Sequence, residues 1–180
     1  MKRLLVLGCS GAGKSTLSKE LAANTGLPLV HLDQIFWRPG WVEPSKEEWR
    51  LQVAAELAKP EWILDGNFGS TLLQRLEAAD TAILLDLPRM VCLLRVLRRI
   101  SVSLGRRRPD MAEGCLERFD LKFLLYVLNF GKNHRPKLLE RFEAFAGEKI
   151  LLRSPTEVRQ FLQSMKGDAR TREHLSVQTC

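Results

Sequence analysis

Five short apolar runs, KRLLVLG, LPLVHLD, EWILDG, TAILLDLP and EKILLRSP, recur along the chain, each bounded by glycine, proline or aspartate. Such runs, rich in leucine, isoleucine and valine, read as strands buried on both faces, the pattern of a parallel sheet. Segments with helical spacing lie between them. KSTLSKELAANTG sets Leu17 and Leu21 on one face and stops at Gly26, a residue suited to a helix C-terminal cap. Ser45 followed by Glu48 forms a capping-box signature at the head of KEEWRLQVAAELA, and Pro60 closes that segment. Strand and helix alternate, so the predicted class is α/β, with a five-stranded parallel sheet between two layers of helices.

Beyond the fourth run the pattern changes. From about Met90 to Leu104 the segment is apolar around most of its circumference, yet it places Arg95, Arg98 and Arg99 on one helical face. GRRRPDMAEG has the punctuation of a loop, and helical spacing resumes from Glu117 to about Phe145, with a kink or break expected near Pro136. A mobile arginine-rich flap between two helices is the expectation. After Met165 the polar string KGDARTREHLSVQTC has no apolar period and reads as a frayed tail. No internal repeat and no second core are evident.

A length of 180 residues suits one domain. Hydrophobic residues at 45% and charged residues at 27% exclude a disordered, collagen-like or membrane-spanning chain. No apolar run reaches the roughly 18 residues of a spanning helix, and MKRLLVLGCSG turns into glycines before a signal-peptide core forms, so a cytoplasmic location is expected. Cys9, Cys92, Cys115 and Cys180 are far apart, without CxxC pairs or flanking histidines, and read as free thiols. His31 reads as a strand residue rather than a base.

The net charge of +7 points to an anionic partner. Its distribution is more specific. Between Leu87 and Pro109 there is no acidic residue, while Arg89, Arg95, Arg98, Arg99, Arg106, Arg107 and Arg108 all fall inside. Guanidinium is a permanently charged fork that grips phosphate with two parallel hydrogen bonds, so the partner expected there carries phosphate.

The strongest signal lies near the amino end. Gly8-Cys9-Ser10-Gly11-Ala12-Gly13-Lys14-Ser15 fits GxxxxGK[ST], follows an apolar strand and opens a helix, the context that the pattern requires. Such a loop turns its backbone N–H groups around phosphates, the helix aims its positive end at the same anion, the lysine reaches the β- and γ-phosphates, and the hydroxyl ligates Mg2+. Gly8, Ser10, Gly11, Ala12, Gly13, Lys14, Ser15 and Thr16 are the candidate contacts to ATP. Cys9 is either a redox-sensitive thiol or a small filler, and the filler is favoured.

Asp33, Asp65 and Asp86 end the second, third and fourth runs, which sets all three at the carboxyl edge of the sheet, where open α/β folds bind ligands. Each equally suits a helix cap or an ion pair. Phe36, Trp37, Arg38 and Trp41 offer aromatic faces beside a cation that suit a flat ring, although a satellite core is the favoured reading.

Along almost its whole length the chain resembles the nucleoside monophosphate kinase-like branch of P-loop proteins, which includes adenylate and shikimate kinases. The resemblance rests on Leu64-Asp65-Gly66, on Arg95 with Arg99, and on Arg118-Phe119-Asp120. HLDQIFWRPGW, ILDGNF, LDLPR and GRRRPDMAEGCLERFDLKFLLYVLNF further resemble bacterial DNA topology modulation proteins, a subgroup of that branch. The resemblance implies a catalytic set of Lys14, Asp33, Arg95, Arg99 and Arg118, with Asp33 facing the acceptor and the arginines around the transferring phosphoryl group. It implies Mg2+ held by Ser15 and, through water, by Asp65, and it sets Arg153, in the motif Arg153-Ser154-Pro155-Thr156, near the adenine. It also implies a kinase-like domain over 1–165, with an acceptor-side segment near 33–60 and a lid near 95–120, followed by a flexible tail over 166–180. Asn67-Phe68-Gly69 stands where adenylate kinases carry an arginine for the acceptor nucleotide, which argues against AMP.

Three functions follow: transfer of the γ-phosphoryl group of Mg-ATP to a small acceptor, nucleotide-dependent DNA binding, and an ATP-hydrolysing switch. The first is favoured, because no helix-turn-helix, zinc-finger or single-strand-binding signature accompanies the arginines.

Overall fold

Every residue from Leu4 to Leu7 is fully buried. Successive residues of a strand point to opposite sides, so both faces of β1 (Arg3–Gly8) are covered and its sheet is the middle of three layers. The structure, a computed structural model, describes the backbone of residues 1–177 and the side chains of residues 1–166.

After β1 comes α1 (Lys14–Thr25), which Gly26 ends in a left-handed cap, its N–H bonded to the Ala22 carbonyl at 2.8 Å. β2 (Leu29–His31) runs straight into the short α2 (Leu32–Phe36). α3 (Lys46–Leu57) opens on the expected capping box: Ser45 Oγ accepts from the Glu48 N–H at 3.2 Å, and the Glu48 carboxylate accepts from the Ser45 N–H at 2.8 Å. β3 (Trp62–Asp65), α4 (Leu72–Ala78), β4 (Thr81–Leu85) and α5 (Arg89–Ser103) follow. α6 (Leu121–Asn133), α7 (Arg135–Glu143), β5 (Glu148–Leu152) and α8 (Pro155–Val177) complete the order.

The five expected runs form one parallel sheet in the order β2-β3-β1-β4-β5. β1 is therefore central, with Val6 opposite both Asp65 of β3 and Ile83 of β4. The loop that leaves β1 emerges with a neighbour strand on each side.

β2 stops at His31, so Asp33, expected at the strand end, lies in the first turn of α2; of three later boundaries two differ from the pattern and one falls where expected. α6 begins at Leu121 rather than Glu117, because the Asp120 carboxylate caps it, accepting from the Phe123 N–H at 3.1 Å. The helical stretch breaks as expected, with His134 closing α6 and opening α7, and Pro136 in the first turn of α7, where its missing N–H costs nothing. α8 continues past Met165 to Val177, since no proline and a single glycine, Gly167, fall among residues 166–177; residues 178–180 of the expected tail lie outside the described residues.

One buried cation shapes the edge where the site lies. Arg75 of α4 is fully buried, and its guanidinium donates to the carbonyls of Gly66 at 2.7 Å, of Phe68 at 3.0 Å, and of Asn67. The turn after β3 is thus wound around Arg75. That turn aims Asn67 at β1, where its side chain accepts from the Gly8 N–H at 3.0 Å and donates to the Gly8 carbonyl at 2.7 Å.

Candidate functional site

The loop between β1 and α1 depends on glycine for two separate reasons. Gly11 has φ +84°, and a Cβ there would collide with the Cys92 carbonyl oxygen of α5. Gly8 has φ +140°, and a Cβ would lie 2.5 Å from the Leu85 carbonyl oxygen. The loop is thereby pressed against β4 and α5. At its far end Gly13 is the N-cap of α1 and supplies no side-chain cap, which leaves the first N–H groups of the helix free for an anion. Lys14 Nζ folds back over the loop and donates to the Cys9 carbonyl at 3.2 Å.

Above this loop opens a cleft of about 870 Å3. Ser10, Gly11, Ala12, Gly13, Lys14, Ser15 and Thr16 line it, together with Asp33, Asp65, Arg95, Arg99 and Arg118. Most of the residues singled out in the sequence, from α1, α2, β3, α5 and the segment before α6, therefore share one space. Arg95 donates to the Ala12 carbonyl at 3.1 Å, which fastens α5 to the loop. Arg118 lies 5.2 Å over the Trp41 ring.

Several expected members lie elsewhere. Gly8 sits beneath the loop, in contact with Leu85 and Asn67, and does not line the cleft. Arg98 is exposed, because the helical face shared by three arginines is wider than the cleft. Arg153 lines a second, smaller cleft with Asp86, Arg89 and Arg135, since it ends an edge strand on the far side of β4. The turn after β5 instead sends Pro155, Val158 and Arg159 of α8 to the main cleft. Asp86 is taken by Arg135, whose Nε and Nη2 both donate to it at 2.7 Å. Asn67, set beside the acceptor by sequence position, is committed to Gly8.

Charge is unevenly distributed inside the cleft. Burial pushes the Asp33 carboxyl above the usual carboxylate range, Lys14 pulling against it and Asp65 adding to it. Asp65 is buried and bonded to His31 Nδ1 at 2.8 Å, so the histidine orients this carboxylate. A hydrogen bond with the Cys92 thiol, and then burial, push the Cys9 thiol up, which suits a filler rather than a reactive thiolate.

Two acidic residues that the sequence reading passed over belong to the site. Asp110 lines the cleft and accepts from Ser15 Oγ at 3.2 Å and from Arg108 Nη1 at 3.1 Å. Burial pushes its carboxyl up, and Arg108 with the hydrogen bonds from its own N–H and from Ser15 outweighs this, leaving it below the usual range. Glu117 also lines the cleft. The one available signal was position: Asp110 ends the acid-free stretch.

The residues fit Mg2+ by their chemistry. The Ser15 hydroxyl and the Asp33, Asp65 and Asp110 carboxylates are hard oxygen donors facing one cleft, the set a cation takes when water and phosphate complete its shell. Among the described residues no group of three or more His, Cys, Asp or Glu forms a ready cage.

The arginine-rich flap is docked. A short ladder holds its base, with the Gly105 N–H bonded to the Glu117 carbonyl and the Glu117 N–H to the Arg106 carbonyl, both at 2.9 Å. Its tip sets Met111, Ala112 and Cys115 against Trp37 and Trp41. Gln34 Nε2 donates to the Pro109 carbonyl at 2.6 Å, and Trp41 Nε1 to the Leu116 carbonyl at 3.2 Å. Trp37 and Trp41 thus belong to a satellite core that seats the flap, as favoured from the sequence, and they also line the cleft, whereas Phe36 packs against the main core.

No family model matches the chain, and no curated protein matches it in sequence. Solved structures do match in shape. A shikimate kinase from Acinetobacter baumannii, in complex with shikimate, is 16% identical with a TM-score of 0.59, over 92% of this chain and 90% of that one. A shikimate kinase from Bacteroides thetaiotaomicron is 16% identical, TM-score 0.56, over 97% and 98%. A gluconokinase from Sinorhizobium meliloti is 16% identical, TM-score 0.51, over 99% and 98%. The fold is that of small P-loop kinases. At this identity the likeness shows the fold alone. No helix among the described residues is long and apolar enough to cross a membrane.

Proposed function

We propose that this P-loop kinase-like protein transfers the γ-phosphoryl group of Mg-ATP to a hydroxyl of a small acceptor held beside Asp33. The observation that carries the reading is a single cleft lined at once by the phosphate-type loop, by Asp33 of the first turn of α2 and Asp65 at the end of β3, and by Arg95, Arg99 and Arg118. Its volume of about 870 Å3 suits a nucleotide with a small second substrate.

In this reading the open N–H groups at the start of α1 and the Lys14 ammonium hold the β- and γ-phosphates. The Ser15 hydroxyl and, through water, Asp65 would hold Mg2+, which when bound neutralises phosphate charge. Arg95, Arg99 and Arg118 present fixed positive charge to the phosphoryl group in flight, where it stabilises most. Asp33 takes up the proton of the acceptor hydroxyl, and its raised pKa brings it nearer the working pH of a general base. AMP is disfavoured as acceptor, because Arg75, the arginine nearest along the chain, is spent on backbone carbonyls.

The placement of the arginines supports this function over DNA binding, which the resemblance to DNA topology modulation proteins would suggest. Arg95, Arg99 and Arg108 line the cleft and Arg107 is paired with Glu113 at 3.3 Å, so these four have partners in or beside the site, while Arg89, Arg98 and Arg106 are exposed. Free thiols at Cys9, Cys92 and Cys115 accord with a cytoplasmic setting.

The test is a screen with γ-labelled Mg-ATP against nucleosides, nucleotides, polyols and sugar acids. Transfer to one class is expected, with loss on Lys14→Ala and on Asp33→Asn. ATP binding without transfer to any acceptor above buffer would overturn the kinase reading.

A further inference from the structure

Glu117 closes the flap where the chain turns toward α6. Its side chain is 5% exposed, and Oε2 meets two guanidinium groups, Arg99 Nε of α5 at 3.1 Å and Arg108 Nε of the flap at 2.8 Å. The three atoms lie at ion-pair distance without the alignment of hydrogen bonds. A buried carboxylate is costly unless paired, and here it is paired twice, so the trio keeps a net positive charge that faces the cleft. Burial, and then the adjacent Arg108 charge, pull the Arg99 pKa down; Glu117 opposes that repulsion.

The pairing extends to the loop. Arg108 Nη1 contacts Asp110, whose carboxylate accepts from Ser15 Oγ. One line of contacts therefore joins a fixed helix, the flap and the phosphate-type loop: Arg99, Glu117, Arg108, Asp110, Ser15. Glu117 engages both arginines through Nε and leaves their terminal nitrogens to other partners: Arg108 Nη1 holds Asp110, while those of Arg99 have no hydrogen-bond or carboxylate partner among the described residues and its guanidinium lies 5.6 Å over the Phe123 ring.

We propose that Glu117 is a positioning residue that holds Arg99 and Arg108 side by side, so that docking of the flap brings Arg108 as an additional guanidinium to the transferring phosphoryl group. This rests on the kinase reading above. An ion pair at Nε fixes where a planar guanidinium lies and leaves terminal nitrogens for phosphate, both of them on Arg99 and Nη2 on Arg108, whose Nη1 holds Asp110. A role confined to stability would lower affinity for every nucleotide alike; a positioning role concerns only the state in which phosphoryl charge is spread.

Calorimetric binding of ADP with Mg2+, and of ADP with Mg2+ and fluoroaluminate as the planar phosphoryl mimic, separates these without knowledge of the acceptor. The wild type is expected to bind the fluoroaluminate complex about 100-fold more tightly than ADP. Glu117→Gln is expected to keep ADP affinity within about 3-fold and to lose about 10-fold or more of the fluoroaluminate gain. If the wild type fails to bind ADP at all, the nucleotide reading itself falls. If it binds ADP but gains nothing from fluoroaluminate, or if Glu117→Gln gains as much as the wild type, only the positioning role falls. Should Glu117→Gln bind no ADP, Glu117→Asp replaces it: a partial loss of the gain supports the role, and a full gain overturns it.

Discussion

Replacing Asn67 by alanine tests whether the turn after β3 holds the phosphate-type loop in place. The substitution removes the bond from the Gly8 N–H at 3.0 Å and the bond to the Gly8 carbonyl at 2.7 Å. Each neutral bond contributes about 1 kcal/mol net, and a buried donor left without a partner adds about 1–3 kcal/mol; the carbonyl, with two lone pairs, suffers less. The expected loss is about 3 kcal/mol, which for a domain of this size lowers the melting temperature by about 9 °C. Asn67→Asp divides the two bonds. Its carboxylate still accepts from the Gly8 N–H but sets an oxygen against the Gly8 carbonyl, so at neutral pH it should destabilise at least as much as alanine. Below about pH 4 the protonated carboxyl can donate again, and the deficit relative to wild type should shrink. Thermal melts followed by circular dichroism at pH 7 and at about pH 3.5, with ATP titrations alongside, read both effects. An Asn67→Ala protein that melts within about 2 °C of wild type and binds ATP equally well would refute the bracing role.

Asp33→Asn is expected to abolish transfer while raising the melting temperature at pH 7. The folded-state pKa of Asp33 is raised, so its ionised form opposes folding; the stabilisation from the substitution is present at neutral pH and vanishes as pH falls below the unfolded carboxyl pKa of about 4. A melting temperature unchanged or lowered at pH 7 would contradict this. Gly11→Ala combines a left-handed φ with a clash against the Cys92 carbonyl, and should cost about 2–4 kcal/mol and at least 10-fold in ATP affinity, read by urea unfolding and calorimetry; near-normal values would show that the loop rests differently against α5. Ser45→Ala breaks the capping box of α3, away from the cleft, and should cost about 1 kcal/mol in urea unfolding without change in ATP affinity. A loss of affinity there would tie α3 to the site.

The chain by itself determined what depends on a few neighbouring residues. The apolar runs marked all five strands, Gly26 and Ser45 marked helix ends, Pro136 marked a break, and Gly8 to Ser15 marked the phosphate-type loop, because propensity, caps and left-handed φ act over about one helical turn. The ends of the apolar runs likewise marked Asp33 and Asp65, which the cleft takes up from the first turn of α2 and the end of β3, and left Asp86 equally eligible. Only the tertiary structure separated them, by setting Arg135 on Asp86 and His31 on Asp65. It also decided which arginines face the cleft, why Arg153 does not, and how Asp110, Glu117 and Asn67 are used. Ser15 meets Asp110 across 95 positions and Gly8 meets Asn67 across 59, partnerships set by strand order and the path of the flap. No local pattern encodes such pairs, since a carboxylate or an amide carries the same propensity whether its partner is water, backbone or a distant guanidinium.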